Sequence, residues 1–265
     1  MKKVLGIFDS GLGGLTVLDS LLGYCDYDKI IYFGDTERVP YGAHKKSTII
    51  EYAKQDVRFL MSKGVNEIVV ACATVSSNAL DELKETFDIP IFGIIEDAAE
   101  KAAKSTINNN IGVIATKASI SSNVYEKSIK KFAKNVNVYS QACPLFVPLI
   151  EYGFTHDGVE VASKTCEYYL KSLKEANVDT LILGCTHYPL LKEQISAVMG
   201  ENVKLIDVGV AFQAKRYKNK SNKIPQVDFY VSNEPEVFAL EMKKFIKDKS
   251  IIEKSNVSLI HIEEY

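Results

Sequence analysis

The chain has 265 residues, 46% of them hydrophobic, enough for one large or two modest α/β domains. Its 32 Lys and Arg nearly balance its 34 Asp and Glu, leaving a net charge of -2, so no charge excess points to a nucleic-acid or membrane partner. No apolar run approaches the ~20 residues of a membrane span, and Met1-Lys2-Lys3 leads into a strand-like run without a signal peptide, so a cytoplasmic protein is expected.

Short β-branched runs alternate with helical patterns along the chain. Strand Val4–Phe8 is followed by helix Gly14–Leu22, strand Lys29–Phe33 by helix Thr48–Lys63, and strand Glu67–Ala71 by helix Ser76–Phe87 in the expected order. Strand Ile91–Ile95 then precedes helix Ala98–Lys104, strand Ile111–Ala115 precedes helix Asn123–Phe132, and strand Val136–Ser140 precedes helix Val159–Ala176. The pattern closes with strand Thr180–Gly184, helix Leu190–Met199, strands Val203–Ile206 and Val227–Val231, helix Glu236–Lys247 and strand Val257–Ile262. In the second helix Ile49, Tyr52, Ala53, Val57, Leu60 and Met61 make an apolar stripe, and Gly64 and Asn177 suit helix C-termini. Alternating strands and helices predict a mostly parallel sheet with helices on both faces. Ten strands exceed what one compact sheet usually holds, so two domains are expected, with a boundary near Ile94–Glu96. The basic stretch Lys215–Pro225 reads as a solvated loop.

Five cysteines (Cys25, Cys72, Cys143, Cys166 and Cys185) in a chain without an export signal argue against a disulfide framework, and none has metal-ligand spacing. Each is by default a small buried hydrophobe. Two stand out through an internal echo. Ile68-Val69-Val70-Ala71-Cys72-Ala73-Thr74 matches Leu181-Ile182-Leu183-Gly184-Cys185-Thr186-His187: an apolar strand, a small residue, Cys, then an expected helix. In open α/β sheets ligands bind beyond the carboxyl ends of strands, and the positive end of a helix favours a thiolate. A thiol ordinarily near pKa ~8.5 is expected to be lowered in such a place and to serve as a base at neutral pH.

Other polar stretches fall at strand ends. Asp9-Ser10-Gly11-Leu12-Gly13-Gly14 offers amides to a carboxylate, or is simply a tight turn with Asp9 or Ser10 as a cap. It is not a dinucleotide fingerprint. Gly34 to Gly42, with Pro40 and Tyr41, either shapes a turn or faces a ligand, and Thr116 to Ser119 either enters a helix or does the same. Cys185-Thr186-His187-Tyr188-Pro189 places a proline for a helix's first turn.

Together DSGLGGLTVL (Asp9–Leu18), GDTERVPYG (Gly34–Gly42), VACAT (Val70–Thr74) and LGCTHYPLL (Leu183–Leu191) resemble glutamate racemases, as do GVIATKASI (Gly112–Ile120) and ACPLFVPLIEYG (Ala142–Gly153). The likeness runs from about Val4 to Ala211, and the histidine of GCTH favours glutamate over aspartate racemases. It implies two doubly wound, mostly parallel-sheet α/β domains related by a pseudo-twofold axis, with the active site in the interdomain cleft. The C-terminal segment would return to the first domain, giving 1–94 plus 209–265 and 95–208. The resemblance implies Cys72 and Cys185 as the two acid/base groups, assisted by Asp9, His187 and Glu151. Asp9, Ser10, Pro40, Tyr41, Gly42, Ala73, Thr74, Thr116, Ser119, Thr186 and His187 would hold the substrate, through side chains or backbone amides. It further implies no cofactor, a homodimer, and D-glutamate made for peptidoglycan synthesis; no lysine site for pyridoxal phosphate is recognisable.

The sequence departs from the family pattern at Ala73, where the family has Asn after the first cysteine. The backbone amide is kept and a side-chain hydrogen bond is lost, which typically costs about 0.5–1.5 kcal/mol, or up to about 3 beside a charged group. Val208 replaces a usual Ser, and Ser119 a usual Thr. Two alternatives stay open at this point: a racemase of the same fold for another amino acid, such as aspartate, or for a hydantoin, and a glutamate-binding protein silenced by Ala73. A redox role is disfavoured because no resolving cysteine lies near Cys72 or Cys185 in sequence.

Overall fold

A computed structural model describes residues 2–155 and 160–265. Among them run ten strands: β1 (Val4–Asp9), β2 (Lys29–Gly34), β3 (Glu67–Val70), β4 (Ile91–Gly93), β5 (Asn110–Ala115), β6 (Asn137–Ala142), β7 (Thr180–Leu183), β8 (Lys204–Asp207), β9 (Gln226–Val231) and β10 (Val257–Leu259). They form two sheets, β10-β9-β2-β1-β3-β4 and β6-β5-β7-β8, in which every pairing is parallel. The first four strands and the next four repeat one order, second-first-third-fourth. The echo around Cys72 and Cys185 is therefore topological: each cysteine follows the third strand of its set. β9 and β10 return to the first sheet beyond β2.

Parallel strands covered by helices on both faces must be apolar on both faces. After its first residue β1 is wholly buried, as are β2 and β7. Side chains alternate across the first sheet. Phe8, Ile31, Phe33, Ile68 and Val70 pack with Ile49, Val57 and Leu60 of helix Lys46–Ser62. Leu5, Ile7, Ile30, Tyr32 and Val69 face the other way, into one apolar cluster continuous with Ile111, Val113, Leu181 and Ile182 of the second sheet. At about 1.5–3 kcal/mol for each large side chain removed from water, this shared core joins the two bodies strongly. Register then aligns the strand ends: Asp9 pairs with Gly34, Phe8 with Val70, Ile114 with Leu183.

Several local expectations are corrected. The expected helix Ser76–Phe87 is two, Ala73–Asn78 and Leu80–Thr86. In the first of them Ser77 Oγ and Asn78 Nδ2 both donate back to the Thr74 carbonyl, competing with the helical ladder, while Ser76 Oγ donates to the Val70 carbonyl at the end of β3. β4 stops at Gly93 and helix Ile95–Ala103 begins where a strand was expected. β10 stops at Leu259, and Ile262 starts a 3₁₀ turn. Thr116 does enter a helix, Lys117–Ser121, as its N-cap, accepting the Ser119 N–H; helices Phe146–Glu151, Val208–Arg216 and Lys249–Lys254 were not expected, and the second of these takes Lys215 and Arg216 out of the basic loop. The helix expected from Val159 is seen over Glu160–Glu175, and Val159 lies outside the described residues. Asn177 and Gly64 do adopt the left-handed backbone of helix C-termini.

Candidate active site

Cys72 lies two residues beyond β3 and immediately precedes helix Ala73–Asn78. Its thiol donates to Ser10 Oγ at 3.5 Å. Ser10 follows Asp9, the last residue of β1, whose Oδ1 accepts the Gly11 N–H at 2.9 Å. Asp9 thus braces its own turn and does not cap the following helix. The expected lowering of the thiol is overturned. Burial pushes Cys72 up to about 12, the Asp9 charge adds to this, and hydrogen bonds from Ser10 and Val75 only partly offset it. A helix of six residues offers too little positive end to offset removal from water. Asp9 is itself raised by burial, opposed by His187 and the Gly11 and Gly14 amides.

Cys185 follows β7 after Gly184. A Cβ at Gly184 would fall 2.7 Å from the Ile114 carbonyl, so only glycine brings the chain this close to β5. Cys185 was expected at a helix start. It opens instead into a bend and the 3₁₀ turn Tyr188–Leu191, with Pro189 in its first positions and helix Lys192–Met199 beyond. The Tyr188 hydroxyl pins this turn to the Cys143 carbonyl at 3.0 Å. His187 Nδ1 sits 3.9 Å from Cys185 Sγ, and Nε2 sits 3.0 Å from Glu151 Oε1, at the end of helix Phe146–Glu151.

Burial opposes a charged imidazole, but the hydrogen bonds and charges of Cys185 and Glu151 outweigh it and push His187 up to about 10. Since this folded value lies above the ordinary 6.5, the stabilisation is complete below pH 6.5 and fades as pH rises toward about 10. The stability gap between the natural chain and His187→Asn should therefore shrink over that interval, by on the order of a few kcal/mol, in urea melts taken at each pH. A gap independent of pH would contradict the assignment.

The loops at the ends of the two sheets meet. Thr16 Oγ1 donates to the Thr186 carbonyl at 2.8 Å, and Thr186 Oγ1 donates to Asp9 Oδ2 at 3.5 Å. Gly13 lies against His187 and Thr186. On the other side of the junction the Thr74 and Thr116 hydroxyls pair at 3.0 Å, Ser77 Oγ donates to Ser119 Oγ at 3.2 Å, and Gly42 abuts Thr116. The junction is closed: Asp9, Cys72, Thr186, Cys185 and His187 are all at most 6% exposed.

Most of the residues singled out from sequence therefore converge: Asp9, Ser10, Gly42, Cys72, Thr74, Thr116, Glu151, Cys185, Thr186 and His187. Ala73, buried, is the first residue of its helix. Ser119 is fully buried, with its hydroxyl held by Ser77 and Thr116. Pro40 is exposed and follows a cis peptide bond. The Tyr41 hydroxyl turns away to Asp35 and Asp56, leaving only its backbone for a ligand. Arg38 completes that buried cluster, bonding Asp35 at 2.6 Å and Asp56 at 3.2 Å. Sequence reasoning missed this anchor, although Asp35, Arg38 and Tyr41 lie in one motif. It also missed Tyr125, whose buried hydroxyl has no partner among the described residues and lies where a charge on either Cys185 or Cys72 would be felt. A groove of about 990 Å³ between the two bodies borders the junction at Gly42 and Ser77 and is lined by neither cysteine.

The architecture defines a class: an α/β protein of two parallel-sheet bodies, each bringing one cysteine, from the end of its third strand, to a closed junction. A model of the Asp/Glu/hydantoin racemase family matches residues 34–214. A glutamate racemase of Thermoanaerobacter sp. (strain X514) is 42% identical, over 99% of both chains. One from Geobacter metallireducens is 49% identical over 77% of this chain and 75% of its own. The crystal structure of glutamate racemase from Francisella tularensis in complex with D-glutamate superposes with a TM-score of 0.85 at 34% identity, covering 100% of this chain and 99% of that one. The chain belongs to the Asp/Glu/hydantoin racemase family.

Proposed function

We propose that the chain is a cofactor-independent glutamate racemase, interconverting L- and D-glutamate with Cys72 and Cys185 on opposite faces of the α-carbon. One thiolate removes the α-proton, and the opposite thiol delivers a proton to the other face. Inversion requires one group on each side, and the observation carrying this reading is the placement of one thiol from each sheet at a single junction. The α-proton of an amino-acid zwitterion is very weakly acidic. The site answers this with exclusion of water and positioned donors, which make a buried thiolate a stronger base and stabilise the carbanion.

The raised Cys72 thiol fits this role once substrate supplies its ammonium charge to the cleft. Asp9 is the proton partner on the Cys72 side, and His187, held by Glu151, on the Cys185 side. Ser10, Pro40, Gly42, Thr74, Thr116, Ser119 and Thr186, with the backbone of Tyr41 and Ala73, are assigned to holding the substrate or the loops that hold it. We assign the two domains to 1–94 plus 209–265 and to 95–208, on the sheet membership of their strands. Among the described residues no helix is long and apolar enough to cross a membrane, in keeping with a cytoplasmic enzyme supplying D-glutamate to peptidoglycan synthesis. The assembly proposed is a homodimer.

The deciding assay follows circular dichroism of L- and D-glutamate with the natural chain and with Ala73→Asn. The natural chain should racemise both enantiomers. Ala73→Asn should raise kcat/KM several-fold, up to about tenfold for one hydrogen bond regained. Ala73 also supports a second reading, a glutamate binder without turnover: binding without solvent exchange, reversed by Ala73→Asn, would establish it. Faster racemisation of another enantiopure amino acid would reassign the substrate.

A further inference from the structure

The imidazole of His187 has a neighbour from outside the loops described so far. The Phe245 ring packs perpendicular to it, with centroids 5.8 Å apart and planes at 87°. Phe245 follows the 3₁₀ turn Met242–Lys244, and its N–H donates to the Met242 carbonyl at 3.0 Å. Two residues on, the Lys247 N–H donates to Asp19 Oδ1 at 2.8 Å, tying the segment to helix Leu15–Leu21. The segment thus lies between β9 and β10 of the first sheet, while the imidazole it touches follows β7 of the second.

The polar contacts of His187 leave it underdetermined. The sulfur contact is long, at 3.9 Å, and the carboxylate of Glu151 is 36% exposed. By themselves these two polar contacts do not fix the tilt of the ring. A perpendicular aromatic partner that is itself only 4% exposed resists that tilt and keeps water from the ring.

We propose that Phe245 is a positioning residue for the reaction, holding the His187 imidazole in the plane that joins Cys185 to Glu151. This rests on the two-thiol reading above. It makes the C-terminal return part of the catalytic apparatus, acting on one face of the substrate only.

The test compares the natural chain with Phe245→Ala and Phe245→Leu, each first checked for folding by thermal melt. With labelled histidine, NMR should show one sharp set of His187 ring signals in the natural chain and broadened or shifted signals in Phe245→Ala. In that variant kcat should fall about 10- to 100-fold, the scale of a misplaced reacting group, while KM stays within about threefold. Because the enantiomers are equal in free energy, kcat/KM must fall equally in both directions. The α-deuterium isotope effect should rise only for the enantiomer whose proton Cys185 removes. Phe245→Leu should recover most of the turnover. Unchanged ring signals, or isotope effects that change equally for both enantiomers, would overturn the proposal. An inactive natural chain would instead defeat the racemase reading, and the ring signals would still judge Phe245.

Discussion

Replacing either Cys72 or Cys185 by alanine is expected to reduce racemisation by at least about 10²- to 10⁴-fold, the contribution of a positioned acid or base. The two variants should nevertheless differ in what they retain. With Cys72 gone, Cys185 can still remove and return a proton on its own face, so one enantiomer should exchange its α-hydrogen with deuterium oxide without inverting. With Cys185 gone, the other enantiomer should exchange. The closed junction makes rescue by bulk water poor, since all five central residues are at most 6% exposed. Proton NMR of each enantiomer with each variant reads the pattern directly. Exchange of both enantiomers by both variants would mean that the two thiols do not stand on separate faces.

Gly13→Ala should be the most damaging conservative change outside the thiols. Its new Cβ would fall within 2.5 Å of His187 Cε1 and Thr186 Oγ1. The imidazole cannot retreat without disturbing its contacts to Cys185 and Glu151, and the loop cannot retreat without stretching the bond from Thr16 to Thr186. Overpacking of this kind costs about 1–3 kcal/mol, and at about 2–4 °C per kcal/mol for a protein of this size the melting temperature should drop by several degrees. Turnover should fall about 100-fold because the reacting groups move by a fraction of an ångström to an ångström. A variant with natural melting temperature and turnover would show that the Asp9–Gly14 loop is not seated on the second body.

The two-sheet architecture was legible because parallel strands buried on both faces leave near-continuous apolar runs, and these fixed nine of the ten strands to within a residue or two of their ends. The cysteine pair was legible because the repeat of topology leaves a repeat of pattern. What escaped depends on long-range contact. The helix-start rule applied to Cys72 is local and points downward, whereas the burial that raises it arises from closure of two bodies. Glu151 itself was named through the resemblance, but the short helix that carries it, interrupted in pattern by Pro148, was not, because its contact with His187 is tertiary. Phe245 sits in a predicted helix where it reads as one more apolar residue. Gly13 is visibly part of a glycine-rich turn, but the imidazole that requires its missing side chain comes from the other body.

The most direct measurement follows natural-chain racemisation of L-glutamate in deuterium oxide over its first few per cent. Two thiols on opposite faces predict product D-glutamate carrying α-deuterium while the remaining L-glutamate stays protiated. Deuterium entering the unreacted L-glutamate as fast as the product would mean that a single group serves both faces, and would contradict the account.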